Sequence, residues 1–142
     1  MKKITEEWLK AAGDDLKVIE KIASDEHLTH MVAFHSQQCI EKTLKAVCEE
    51  FEIGVGKIHN LERLFEMVRV HLEINPDPVL IPMLDKLYID SRYPGDLGLL
   101  PEGKPTPEYS EMFHNFAKNI YERIKSTLCS DTDFSSGFNF VN

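Results

Sequence analysis

One stretch decides what this chain can become. Residues 31–51 read as a helix with apolar or small side chains on two of its sides. Ala33, Ile40, Leu44, Val47 and Phe51 form one apolar stripe, bordered by Gln37 and Cys48. Ser36, Cys39, Thr43 and Ala46 form a second side of small residues, the kind that lets a neighbouring helix come close. Between them runs a polar seam of Gln38, Glu41, Lys42, Lys45 and Glu49. A helix covered on two sides is a central helix, so the rest of the chain must pack around it.

The remaining sequence supplies the packing partners. Residues 5–24 read as a first helix, with Thr5 as its N-cap and Glu6 and Glu7 where the helix dipole favours negative charge. Its stripe is Leu9, Ala12, Leu16, Ile19 and Ala23, widened by Trp8 and Ile22, and Gly13 marks a close crossing. After Gly54-Val55-Gly56-Lys57, Asn60 caps a third helix carrying Leu61, Leu64, Phe65, Val68 and Leu72. Asn75-Pro76-Asp77-Pro78 is a break, and a fourth helix follows with Leu80, Met83, Leu84, Leu87 and Tyr88. Pro94 pushes Tyr93 out of the helical region, which puts Arg92 on the last turn. A Gly/Pro-rich loop leads to Thr106-Pro107, an N-cap followed by proline at the first helical position, and to a fifth helix reaching Leu128. No strand-like alternation appears. The fold class expected is all-α, an antiparallel up-and-down bundle of about five helices. One domain spans residues 4–128, with residues 129–142 an appendage carrying Phe134, Phe138 and Phe140.

Charge and composition narrow the function. The 142 residues carry a net charge of -8, which argues against a broad footprint on nucleic acid and confines any RNA contact to a local site. No apolar run approaches the roughly 20 residues of a membrane span, and Cys39, Cys48 and Cys129 match no disulfide or metal framework. A cytoplasmic protein with reduced thiols is expected. The histidines at 27, 30, 35, 59, 71 and 114 fit no metal-ligand spacing, so neither metal nor cofactor is expected. There is no phosphate loop of the P-loop kind and no Ser-His-Asp arrangement.

Two constellations remain. In the polar seam, Glu41 and Lys45 are an i,i+4 pair, and such seams are usually solvated faces. The sharper alternative has Gln38, Glu41 and Lys45 projecting into a cleft or a dimer interface. Arg92 either completes the free carbonyls of its helix end or holds a phosphate with its planar fork, with Tyr93 positioned to stack on a base. His59, just before the cap Asn60, reads as a structural residue fixing how the chain enters the third helix.

These residues together resemble the HEPN domain (higher eukaryotes and prokaryotes nucleotide-binding), of the small stand-alone prokaryotic type. The resemblance rests on Trp8, Ala12 and Asp15-Leu16, then on Gln37-Gln38-x-x-Glu41-Lys42-x-x-Lys45 and His59-Asn60-Leu61. It continues with Tyr88-x-x-x-Arg92-Tyr93-Pro94 and Thr106-Pro107, in order over residues 4–128. It implies a helical bundle that forms a homodimer, with the second and fourth helices lining a cleft at the interface. Small proteins of this kind commonly act with a minimal nucleotidyltransferase as a toxin–antitoxin pair. Active members are metal-independent ribonucleases with an Arg-x4-6-His motif, whose arginine holds the scissile phosphate and whose histidine transfers protons.

Here the pattern is incomplete. Arg92 matches the arginine, but residues 93–100 contain no histidine. The expectation is therefore a protein that binds a nucleotide or RNA phosphate through Arg92, Tyr93, Gln38, Glu41 and Lys45. Arg92 is the only catalytic candidate by motif. A ribonuclease borrowing His59 or His114 is the alternative, and a ligand-free helical interaction module is a third.

Overall fold

A computed structural model describes residues 1–92 and 103–136, with side chains for residues 1–89 and 103–130. The loop expected between Gly95 and Pro105 therefore falls largely outside the described residues, as does Tyr93. Five α-helices and no strand occur among the described residues: α1 (Lys3–Ile22), α2 (Thr29–Glu50), α3 (Leu61–Val68), α4 (Leu80–Arg92) and α5 (Pro107–Ser136). The chain is an all-α bundle, as the helical periodicity predicts.

The two-sided helix sits where its pattern requires. α2 packs against α1, α3, α4 and α5. Ile40, Leu44, Val47 and Cys48 on α2 share one buried core with Leu9, Ala12 and Ile19 of α1, Leu64 and Phe65 of α3, Leu84 of α4 and Phe113 and Ala117 of α5. The small-residue side is covered as well, for Ser36, Cys39, Thr43 and Ala46 are all fully buried. Each large apolar side chain placed there contributes about 1.5–3 kcal/mol, which sets α2 as the axis of the bundle.

The N-terminal start differs from the expected Thr5 cap. α1 begins at Lys3, with Lys2 as a cap that makes no side-chain bond. Thr5 is buried inside the helix because its hydroxyl donates to Glu50 Oε1 at 2.9 Å, and Lys2 N donates to the same oxygen at 2.9 Å. A tertiary tie to the far end of α2 has replaced a local cap, and it makes the two helices antiparallel. The segment between α1 and α2 coils into one 3-10 turn, Glu26–Leu28, closed by the Asp25 side chain.

Other ends follow local chemistry. Asn60 Oδ1 accepts from Arg63 N at 2.9 Å and opens α3. α3 then stops at Val68 instead of reaching Leu72: His71 N and Leu72 N both donate to the Val68 carbonyl, so the chain tightens into a turn. Leu72 still packs against the core from that turn. Thr106 Oγ1 accepts from Tyr109 N at 3.1 Å, and α5 runs from Pro107 past Leu128 to Ser136.

Gly13 is the close crossing its position suggests, and its partner is α5. A Cβ at Gly13 would lie 2.9 Å from the Tyr121 hydroxyl oxygen, which stands at the end of a rigid ring. Gly13→Ala should therefore lower the melting temperature despite the roughly 1 kcal/mol that alanine gains in helix propensity, because overpacking typically costs about 1–3 kcal/mol. In a Tyr121→Phe background the hydroxyl is gone, and the same substitution should become stabilising in thermal melts.

Candidate functional site

The polar seam of α2 is not a solvated face. Glu41 and Lys45 keep only 7% and 10% of their side-chain surface exposed, and Lys45 Nζ donates to Glu41 Oε2 at 2.9 Å. Lys45 Nζ also lies 5.5 Å from the centre of the Trp8 ring on α1, a cation–π contact. Gln37 Nε2 donates to Glu41 Oε1 and to the His59 carbonyl, each at 3.1 Å. Both of its partners are acceptors, which fixes the orientation of this amide. Gln38 Nε2 in turn donates to Gln37 Oε1 at 2.9 Å.

His59 completes the cluster. Its Nδ1 lies 2.8 Å from Glu41 Oε2, so the Glu41 carboxylate gathers Lys45, Gln37 and His59. From α4, Asp85 accepts Leu61 N at 2.9 Å and 3.1 Å on its two oxygens and holds the first turn of α3. Burial pushes the Asp85 carboxyl above the usual aspartate range against the pull of the Leu61 and Glu62 N–H groups, and the negative charges of Glu62 and Glu41 add to the rise. The expected residues Gln38, Glu41 and Lys45 thus come together. Gln37, His59 and Asp85 join them. An amide at the border of an apolar stripe and an aspartate within the fourth helix were the signals that could have pointed to two of these.

A second carboxylate lies on the α1 side. Asp15 receives His35 Nδ1 and Lys42 Nζ, each at 2.8 Å, and pins α1 to α2. Toward α4, Phe34 stacks on Tyr88 with ring centroids 5.6 Å apart. Asp85 lies within electrostatic reach of Glu41, and Tyr88 meets Phe34, so α4 runs antiparallel to α2. Arg92 is one turn beyond Tyr88, about 10 Å along the helix axis from Asp85. Its side chain lies outside the described residues.

The other candidate nucleophiles and proton carriers are less suited to chemistry. Burial drives the Cys39 thiol up to about 12, aided by the negative charge of Asp15, and the Cys48 thiol up to about 11. Burial lowers His114, helped by Lys118, and lowers His30, helped by Lys104. His71 is stacked on Phe51. Among the described residues no group of three or more His, Cys, Asp or Glu is placed to hold a metal ion. No described helix is long and apolar enough to cross a membrane.

The family model of the HEPN domain matches residues 5–127. The chain belongs to the HEPN family. A candidate toxin of Methanocaldococcus jannaschii is 31% identical to this HEPN chain, over 85% of it and 86% of the relative. The crystal structure of ST0689, an archaeal HEPN homologue, superposes with a TM-score of 0.64 at 29% identity, covering 89% of this chain and 98% of that one. The matched segment includes the whole Gln37–Glu41–Lys45–His59–Asp85 cluster, so the buried ionic centre belongs to the HEPN body.

Two outcomes test this centre. Glu41→Leu leaves the Lys45 ammonium buried without its partner and should lower unfolding free energy by about 3–5 kcal/mol in denaturant melts. Glu41→Leu combined with Lys45→Met should recover most of that loss. At Asp85 the raised value means the folded chain binds this proton more tightly than the unfolded one. Its carboxylate therefore weighs against folding above its folded value, and that cost vanishes below its unfolded value. Relative to Asp85→Asn, wild-type stability should fall as pH rises from below the ordinary aspartate value through the raised value of the folded chain, as read by denaturant melts across pH.

Proposed function

We propose that this HEPN protein works as the toxin-type member of a pair, as a homodimer that binds a nucleotide or RNA phosphate at a dimer-interface cleft lined by α2 and α4. Arg92 is the anion-holding group, Tyr93 stacks on a base, and Gln38 faces the ligand. Glu41 and Lys45 act from beneath, as the buried charge pair that keeps this wall of the cleft rigid. The partner is a minimal nucleotidyltransferase.

The observation that carries this reading is the α2–α4 seam itself. Tyr88 is stacked on Phe34, and Arg92 follows one turn later on the same helix, at its C-terminal end. Ile89, on the turn between them, is 55% exposed, an apolar side chain suited to burial against a second copy. Kinship with a candidate toxin supports the toxin role. With a net charge of -8, affinity must come from a few placed groups, and arginine is the side chain whose fork matches phosphate oxygens.

The test is a fluorescence-anisotropy titration of single-stranded RNA and of ATP against wild type and Arg92→Ala. Arg92→Ala should weaken binding about 10- to 100-fold, the equivalent of one charge-assisted contact of about 1.5–3 kcal/mol. It should also reduce the salt slope for RNA by about 0.7, the value for one phosphate contact on a single strand. Equal, negligible binding by both would leave a ligand-free interaction module. Sedimentation and co-expression pull-down with a nucleotidyltransferase test the homodimer and the pairing.

A further inference from the structure

We infer that the trough between residues 72–80 and α5 is a docking surface for an extended peptide segment whose side chains alternate between apolar and basic. It is separate from the α2–α4 cleft. It flanks the first turn of α4, and Arg92 lies about 18 Å further along that helix axis.

One wall is a strand without a sheet. Between the turn that ends α3 and the start of α4, Ile74 and Pro76 are buried while Glu73, Asn75 and Asp77 are exposed. That is the alternation of an extended chain with one face on a core. Among the described residues, no backbone N–H or carbonyl of residues 73–76 makes a hydrogen bond. In a strand the N–H and carbonyl of one residue point to the same edge, and successive residues serve opposite edges. Pro76 leaves a donor missing from the edge it shares with Ile74. Glu73 and Asn75 serve the other edge, each with a donor and an acceptor. A peptide laid along that edge would gain the main-chain bonds by which a strand adds to a sheet.

The second wall is α5. A cleft of about 390 Å³ lies between Asn75, Pro76 and Leu80 on one side and Met112 and Phe116 on the other. A neighbouring cleft of about 260 Å³ lies between Leu72, Glu73 and Ile74 and the α5 residues Ile124 and Thr127. Arg123 lines both, so the two form one trough along the segment. Its apolar lining is open to solvent: Met112 is 45% exposed, and Val79, next to Leu80 in the chain, is 61% exposed. Such a lining accepts the apolar side chains that a strand presents at alternate positions.

Charge selects the occupant. Glu73 and Asp77 line the trough, and Glu122 stands beside Arg123 in the adjoining cleft. Three carboxylates thus face a single guanidinium, and the side chains of Glu73, Glu122 and Arg123 have no hydrogen-bond or ion-pair partner among the described residues. The surplus of negative charge favours lysine and arginine in the partner. A second copy docked by the same face would set these carboxylates against their own images, which disfavours self-pairing here.

The experiment titrates a labelled, end-blocked peptide of alternating leucine and lysine against the full chain by fluorescence anisotropy. About seven residues suffice, since residues 73–76 span about 13 Å when extended. The comparators carry glutamate in place of lysine, or N-methyl groups on alternate backbone nitrogens of the lysine peptide. The lysine peptide should bind saturably and slow amide exchange at Glu73 and Asn75. Both comparators should bind at least about 10-fold more weakly. Glu73→Lys combined with Glu122→Lys changes exposed positions, so the melting temperature should hold. That variant should bind the lysine peptide about 3- to 30-fold more weakly and prefer the glutamate peptide. Equal binding of the two charged peptides, or no binding of the lysine peptide, overturns the proposal. Binding that leaves amide exchange at Glu73 and Asn75 unchanged overturns it too. So does peptide binding that is lost as the chain self-associates in sedimentation, which would assign the trough to a second copy.

Discussion

The interaction on which this structure most depends is the one made by Glu41. Burying a carboxylate is expensive unless donors surround it, and the helix that carries Glu41 is enclosed by four others. The donors come from three places: Lys45 one turn along the same helix, Gln37 one turn back, and His59 from the segment before α3. Satisfying one charge thus recruits a lysine, an amide and a loop. The Trp8 ring lies against the ammonium and brings α1 into the same arrangement.

Asp15 does comparable work on the other flank of α2. Its two oxygens collect His35 and Lys42, so the central helix carries a buried or nearly buried ionic group toward each of two neighbours. Apolar packing alone would allow α1 to slide along α2, because a stripe of leucine and isoleucine is tolerant of register. A carboxylate that must meet a particular imidazole and a particular ammonium is not. The tie from Thr5 and Lys2 to Glu50 sets the same register at the far end.

Much of the architecture was legible from residue spacing. The two-sided pattern of residues 31–51 identified the axis of the bundle, and Asn60 and Thr106 marked helix starts that their side chains do cap. These features are local, so one sequence suffices to see them. Thr5 misled because its hydroxyl is used by Glu50, forty-five residues away. The seam of Gln38, Glu41 and Lys45 looked like an ordinary wet face for the same reason: nothing within the helix reveals that Trp8 and His59 close over it. His59 was read correctly as holding the start of α3, yet the carboxylate beneath its ring lies eighteen positions earlier. Tertiary partners of polar residues are the part of a fold that periodicity cannot supply.

The clamp around the start of α3 has an evolutionary consequence. Gln37, Glu41, Lys45, His59 and Asp85 answer to one another, so a change at one position alters what its neighbours can tolerate. Loss of the acid strands an ammonium, and loss of the ammonium leaves an anion half-balanced. Accepted replacements should therefore arrive in groups. Descendants of this chain would drift freely on their surfaces while inheriting these five positions as one block.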